Sequence, residues 1–412
     1  MTRPPDTFVI VGGGQAGAWV ARTLRGEGFA GRILLIAAEE HWPYERPPLS
    51  KAFLQGTADA ASLTLLDETQ AATLDIECWR GCVVTRIDRD RRQIVCADGR
   101  APGYDKLFLA TGGRARTLPW LHDVASERVH VLRTQTDALR LRAALDSGES
   151  LLVVGGGWIG LEVAATARTM GKTVTLVEAA SRLCVRTVPP VVSDFLQNLH
   201  EGHGVTILTG HSITGLEADG TAVTLTLATG EKLRADHALV GIGIIAETTL
   251  AVSCGLAVED GILVDHQGRT SDPDIFAAGD VARHPSRFSG AMMRLESWAN
   301  AQNQAIVAAK ASLGSADLYA EVPWLWSDQY DANLQMLGVP GDAASAVARG
   351  TPETGAGCWL MLRADGTAAG AVAVNAPREL RALRKLLTEG RTPCPTGWAD
   401  PNTKLQSLPT LG

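Results

Sequence analysis

Short apolar runs, each broken by a glycine-rich turn and followed by a longer amphipathic stretch, set the rhythm of this chain. Residues 8–11 (FVIV) and 151–154 (LLVV) are compact and rich in β-branched side chains, which predicts strands buried in a parallel sheet. Each runs into a glycine turn, then a helical stretch (residues 18–25 and 161–170), then another apolar strand (residues 33–36 and 173–177). The unit strand, glycine turn, helix, strand thus occurs twice. Between the copies, residues 106–113 (KLFLATGG) read as a strand closing on a glycine turn. Later, the alternation over residues 222–229 predicts a hairpin strand with one wet face. Residues 237–243 and 275–280 (IFAAGD) add buried strands. A third region opens at residues 324–330 (WLWSDQY), continues through strands at 358–362 and 370–374 and a helix over 378–387, and ends after Gly390 in a proline-marked stretch read as an irregular tail.

Composition narrows the classes. The 412 residues are enough for two or three domains with buried cores, and 45% hydrophobic with 20% charged residues is an ordinary globular mix. The most apolar window, residues 238–258, is broken by Gly241, Gly243 and Glu247, and the opening MTRPPDTF lacks the order of a signal peptide. A cytoplasmic protein without a membrane partner is expected. A formal net charge of −7 argues against nucleic acid as the main partner. The seven cysteines, at 78, 82, 96, 184, 254, 358 and 394, form no CxxC pair. Only Cys78 and Cys82 have a spacing that meets across one helical turn, so buried, inert thiols are expected, and neither a metal nor a redox dithiol.

The glycines carry the chemistry. Gly12, Gly14 and Gly17, and again Gly155, Gly157 and Gly160, fall as GxGxxG between a strand and a helix. The first glycine permits the tight turn, the second lets a pyrophosphate approach backbone, and the third lets helix pack on strand, with helix N–H groups holding the phosphate charge. One copy is weak; two in matching contexts predict two dinucleotides. A carboxylate about 20 residues beyond each turn binds ribose hydroxyls in such sites. Glu178 fits that place well. Glu39 fits less closely, since Ala37 and Ala38 stand nearer the strand end, and either residue could be only an exposed carboxylate. A carboxylate there repels the extra phosphate of NADPH and favours NADH, although Arg182 and Arg186 lie close in sequence.

Long motifs around these turns make the chain resemble the FAD-dependent ferredoxin reductases of bacterial oxygenase systems, of the putidaredoxin reductase and biphenyl-dioxygenase reductase type. They are YERPPLSK (44–51), LATGG (109–113), VVGGGWIGLEVAATA (153–167), TSDPDIFAAGDVA (270–282), ESWANAQNQA (296–305) and WLWSDQY. The resemblance implies an α/β, glutathione-reductase-like two-dinucleotide-binding-domain flavoprotein with a C-terminal α+β domain. Its implied domains are FAD-binding over 1–113 and 242–318, NAD-binding over 114–241 and C-terminal over 319–412.

The same resemblance implies the sites. Gly12, Gly14, Gln15, Ala16 and Gly17 would hold the FAD pyrophosphate, and Gly279 and Asp280 the ribityl and phosphate portion. Arg46, Pro47 and Lys51 would line the flavin, with Val84, Ala110, Thr111, Gly112 and Arg133 around the rest. Glu296, Trp298 and Ala299 would close the pyrimidine end. Family members carry Asp where this chain has Ala38, which shifts the adenosine-ribose contact to Glu39. On the NADH side the resemblance implies Gly155, Gly157, Trp158, Ile159 and Gly160 at the pyrophosphate, and Gly241, Ile242 and Gly243 beside the bound cofactor. Lys51, otherwise a surface charge after a proline-rich turn, becomes a flavin-side cation, and Glu162, otherwise an unremarkable helical Glu, pairs with it and places nicotinamide.

The two tryptophans of WLWSDQY are read as one facing the core and one facing outward or toward a site; the resemblance puts Trp326 over the flavin as the electron exit. Arg378, Arg381, Arg384 and Lys385 share one helical face, either a solvated basic face or a dock for an acidic 2Fe–2S ferredoxin. The expected activity is NADH-dependent ferredoxin reduction through FAD by a monomer or dimer. A non-enzymatic FAD/NADH-binding redox sensor and an NADH oxidase-like flavoenzyme are the alternatives. Disulfide reductases and NADH oxidases use cysteine near the flavin, and residues 41–54 contain none.

Overall fold

The computed structural model describes residues 6–118 and 127–411. Two compact units emerge: Met1–Arg46 with Ala60–Arg114 and Ile245–Glu321, and Pro47–Asp59 with Ala115–Ile244 and Val322–Gly412.

The first unit is built on a parallel five-stranded sheet in the order Ile275–Ala277, Lys106–Leu109, Thr7–Val11, Arg32–Ile36, Ile76–Trp79. The first glycine-turn strand sits at its centre, and apolar side chains on both of its faces are fully buried: Ile10 on one side with Phe108 and Phe276, Val9 on the other with Leu107 and Ile275. Helices Gln15–Gly26 and Trp298–Ser312 pack together over one face.

The second unit repeats the theme with the parallel order Thr206–Thr209, Thr173–Glu178, Ser150–Val154, His237–Val240, Val129–His130. It adds an antiparallel three-stranded sheet whose central strand, Val223–Leu227, alternates buried and half-buried positions as expected. Its C-terminal part is an antiparallel sheet, Trp324–Gln329, Ala332–Gly338, Ala368–Val374, Ala356–Leu362, Ser345–Thr351, backed by the amphipathic helix Pro377–Thr388. Among the described residues no helix is long and apolar enough to cross a membrane.

Four local expectations change. Both glycine-turn helices begin three residues earlier than the apolar periodicity suggested, at Gln15 and Trp158, because the second glycine of each turn is itself the cap. Cys78 lies on the strand Ile76–Trp79, so it does not meet Cys82 across a helical turn; instead Cys82, Cys96 and Asp98 gather with their ligand-type atoms within 4.8 Å of one another. Burial pushes the Cys96 thiol up to about 12, with Cys82 adding to the shift.

The residues after Gly390 are ordered rather than irregular. They form a short helix, Pro395–Ala399, with Trp398 fully buried, while Arg349 donates to the carbonyls of Trp398, Asp400, Pro401 and Thr403. Finally, Trp324 and Trp326 do not split between core and surface. Residues i and i+2 of a strand share a face, and the two indoles stack at 5.2 Å, with the Arg384 guanidinium 5.0 Å from the Trp324 ring.

Candidate active site

In the first unit Gly12 takes φ +121°, and a Cβ there would sit 2.1 Å from the carbonyl oxygen of Ala110. Its amide donates to Ile36 O at 2.8 Å, which locks the turn to the sheet. A Cβ on Gly17 would lie 1.9 Å from Gly12 O, so helix and turn touch backbone to backbone. Gly14 differs: nothing lies within 4 Å of the position its Cβ would take. That opening faces the start of helix Gln15–Gly26, where backbone N–H groups have no intrahelical acceptor. Both amide atoms of Gln15 are buried there without a partner. A buried, unpaired carboxamide costs free energy unless a ligand completes it.

The loop carrying Gly279 meets this turn, since a Cβ on Gly279 would be 3.1 Å from the Ala16 methyl; its amide is fixed by Gln304 Oε1 at 2.8 Å. Thr111 donates to Glu247 O at 2.7 Å, and Gly112 O accepts from Glu247 N at 2.9 Å. Trp298 opens its helix and donates through Nε1 to Glu45 Oε1 at 3.1 Å, next to buried Ala299. Val84 begins the half-exposed strand Val84–Asp88. Exposed Glu296 is held by Arg294 at 2.7 Å.

Glu39 accepts from Tyr44 Oη and from Arg46 Nη2, both at 2.7 Å. Burial pushes its pKa up, but Arg46 and the Tyr44 hydroxyl outweigh burial and hold the carboxyl below its usual range. Arg46 is thereby tied to Glu39, just beyond the end of strand Arg32–Ile36. Pro47, Lys51 and Arg133 belong to the other unit.

In that second unit the turn is rebuilt almost atom for atom. Gly155 takes φ +106° with its virtual Cβ 2.5 Å from Gly241 O, Gly160 would meet Gly155 O at 2.0 Å, and Gly157 faces open space. Trp158, at the first helical position, keeps a buried Nε1 without a partner, while Ile159 beside it is exposed. Ile242 packs under the sheet, and Gly243 O accepts from Arg116 N at 2.9 Å. Glu178 ends its strand and accepts from Gly156 N at 2.6 Å and Ala180 N at 2.7 Å, so its carboxylate is drawn onto the turn itself. Arg182 is committed elsewhere, to Val188 O, Ser193 Oγ and Val185 O. The Arg186 guanidinium lies alongside Gly243.

The same unit holds Lys51 and Glu162 together. Lys51 Nζ donates to Glu162 Oε2 at 2.7 Å and to Pro47 O at 3.0 Å. Two further donors, absent from the sequence reading, complete the carboxylate: Ser50 Oγ to Oε2 at 2.5 Å and Ser327 Oγ to Oε1 at 2.6 Å. Thr166 donates to Ser50 O at 2.8 Å, pinning the 47–51 turn onto the glycine-turn helix. Ser50 sits inside the YERPPLSK motif and Ser327 inside WLWSDQY, but a serine in a motif has no signature of its own. Ser327 does follow from strand alternation, on the face opposite the stacked tryptophans.

Two open glycine cradles at helix N-termini, each with a buried unpartnered polar group at the first helical residue, fit two pyrophosphate-bearing cofactors. Near the second cradle, burial pushes the Cys184 thiol far up, and its sulfur lies against Gly156 O.

Comparison with known proteins agrees. The family described as pyridine nucleotide-disulphide oxidoreductase matches residues 6–305, and one described as reductase C-terminal matches residues 324–409. The chain is 40% identical over 392 residues to the 3-phenylpropionate/cinnamic acid dioxygenase ferredoxin–NAD(+) reductase component of Photorhabdus laumondii, covering 93% of this chain and 96% of that one. It is 40% identical over 403 residues to the anthranilate 1,2-dioxygenase system ferredoxin–NAD(+) reductase component of Burkholderia cepacia, covering 98% and 99%. Among solved structures, putidaredoxin reductase in its covalent complex with putidaredoxin aligns with a TM-score of 0.93 at 38% identity, over 98% of each chain. A ferredoxin reductase from Rhodopseudomonas palustris aligns with a TM-score of 0.93 at 38% identity, over 97% of this chain and 99% of that one.

Proposed function

The chain belongs to the pyridine nucleotide-disulphide oxidoreductase family, among the ferredoxin–NAD(+) reductases of oxygenase systems, and on that premise we propose how its residues carry electrons from NADH through FAD to a 2Fe–2S ferredoxin. When bound, FAD takes up a hydride as a pair of electrons and releases them singly, which is the chemistry the protein side chains lack. The observation that carries the reading is the duplicated cradle, open at Gly14 and Gly157 and edged by the unpartnered Gln15 amide and Trp158 Nε1.

In this reading residues 1–113 and 242–318 bind FAD, 114–241 bind NADH and 319–412 form the C-terminal domain. Gly12–Gly17 and Gly279–Asp280 take the FAD phosphates and ribityl chain, and Glu39, steadied by Arg46, takes the adenosine ribose. Gly155–Gly160 take the NADH pyrophosphate. Glu178 uses its remaining lone pairs for the ribose hydroxyls, and its charge opposes a 2′-phosphate. Arg182, spent on its own loop, does not offset that charge. Lys51 supplies a cation for the charge that builds on the reduced flavin, and Glu162 keeps it in place and orients nicotinamide. Trp326 serves electron exit.

Arg378, Arg381 and Lys385 are exposed on helix Pro377–Thr388, whereas Arg384 is half-buried on Trp324. We assign the exposed three to docking of an acidic ferredoxin in a cytoplasmic electron-transfer chain. The test is charge reversal at Arg378, Arg381 and Lys385, with NADH-driven ferredoxin reduction compared against ferricyanide reduction. Loss of the first alone supports the dock; equal loss of both refutes it.

A further inference from the structure

Glu162 does not end its hydrogen bonding at Ser327. Gln329 Nε2 donates to Ser327 Oγ at 3.0 Å, His200 Nε2 bonds Gln329 Oε1 at 2.8 Å, and the Tyr330 hydroxyl lies 3.4 Å from His200 Nδ1. Ser327, Gln329 and His200 are all but completely buried, and the chain lies within one unit. Its polarity is fixed at every link. A carboxylate only accepts, so Ser327 must donate to it, and the Ser327 oxygen is then free to accept from the Gln329 amide. The Gln329 carbonyl needs a donor, which sets the proton of neutral His200 on Nε2 and leaves Nδ1 to accept from Tyr330. Burial lowers His200 to about 4, which keeps it neutral. Four donors therefore point one way, toward Oε1 of Glu162, and hydrogen bonds aligned in this manner polarise one another. Tyr330 is held at φ +54° between two strands, a conformation a bulky side chain adopts only at a cost, and it brings the ring onto His200 and His203.

We infer that Ser327, backed by Gln329, His200 and Tyr330, is a positioning residue for Glu162: it fixes Oε1, so that Oε2 stays shared between Lys51 and Ser50. The inference rests on the assignment of Lys51 and Glu162 to flavin reduction by NADH. A gap-filling serine would have no need of a chain of donors directed through it onto Glu162 Oε1.

The test is a double-mutant cycle on the FAD-loaded protein, reading the limiting rate of flavin bleaching by NADH in anaerobic stopped flow. Ser327→Ala should slow bleaching about tenfold, the scale of one hydrogen bond to a charged group. Ser327→Thr, which keeps the hydroxyl, should restore the rate. In a Glu162→Gln background Ser327→Ala should cost less than about twofold, because the group it acts through has already lost its charge. Equal losses in both backgrounds, or no loss in the wild-type background, overturn the inference. If Ser327→Ala does not retain FAD, Gln329→Leu goes through the same cycle and is read by the same criterion. Failure of the wild-type protein itself to bleach with NADH would instead refute the proposed function.

Discussion

The Lys51–Glu162 pair makes an asymmetric prediction about stability. The side chains are 18% and 5% exposed, and the carboxylate accepts from Lys51, Ser50 and Ser327. Lys51→Met strands a buried carboxylate with two hydroxyls and no cation. Breaking a buried pair from one side costs roughly 3–5 kcal/mol, and the surviving hydroxyls place this case near the lower end, about 3 kcal/mol. Glu162→Gln removes the buried charge itself. Lys51 then keeps Pro47 O at 3.0 Å and reaches solvent, so about 1–2 kcal/mol is lost. The double substitution should resemble Glu162→Gln alone. At about 2 °C per kcal/mol for a unit of this size, the melting midpoint falls about 6 °C for Lys51→Met and about 2–4 °C for the other two. The assay is flavin fluorescence released on unfolding, at one saturating FAD concentration, because ligand binding shifts the midpoint. If Glu162→Gln costs as much as Lys51→Met, or if the two losses simply add, the pair is not the buried ion pair described.

Gly12→Ala should yield no folded FAD-bound protein, because its Cβ meets Ala110 O at φ +121°. Gly14→Ala should fold normally yet bind FAD about tenfold more weakly, since only a ligand occupies that space; fluorescence titration of the apoprotein distinguishes them. Glu178→Arg should cut the NADH-over-NADPH ratio of kcat/KM about tenfold or more, and an unchanged ratio removes Glu178 from cofactor choice. Burial lowers His130, His200 and His284 each to about 4 from 6.5. Between those values the unfolded chain binds more protons, so stability is present above about 6.5 and drains away as pH falls toward 4. The melting midpoint should drop across that window, less steeply in His130→Gln, and a flat profile would contradict the buried neutral histidines.

Features fixed by neighbouring residues were legible before any coordinates. A glycine turn between an apolar strand and a helix is a local constraint, and Gly12, Gly14 and Gly17 obey it in the same way as Gly155, Gly157 and Gly160. Misreadings arose where distant segments or a different local geometry decide. Trp324 and Trp326, two residues apart on one strand, share a face and stack there. The tail after Gly390 lacks periodicity, and its order comes from Arg349 bonding four carbonyls some 50 residues away in sequence. Ser50, Ser327, Gln329 and His200 carry no sequence signal, because their hydrogen bonds join a turn, two helices and a C-terminal strand. Serine, glutamine and histidine scattered along a chain do not announce such a network.

The central claim is met most directly by an anaerobic titration of the yellow, FAD-loaded protein with NADH, followed by an oxidised 2Fe–2S ferredoxin. One equivalent of NADH should bleach the flavin's blue absorbance, and the ferredoxin should then restore it while two equivalents of ferredoxin become reduced. A flavin that keeps its colour with NADH, or that bleaches and is not reoxidised by any such ferredoxin, would contradict the account.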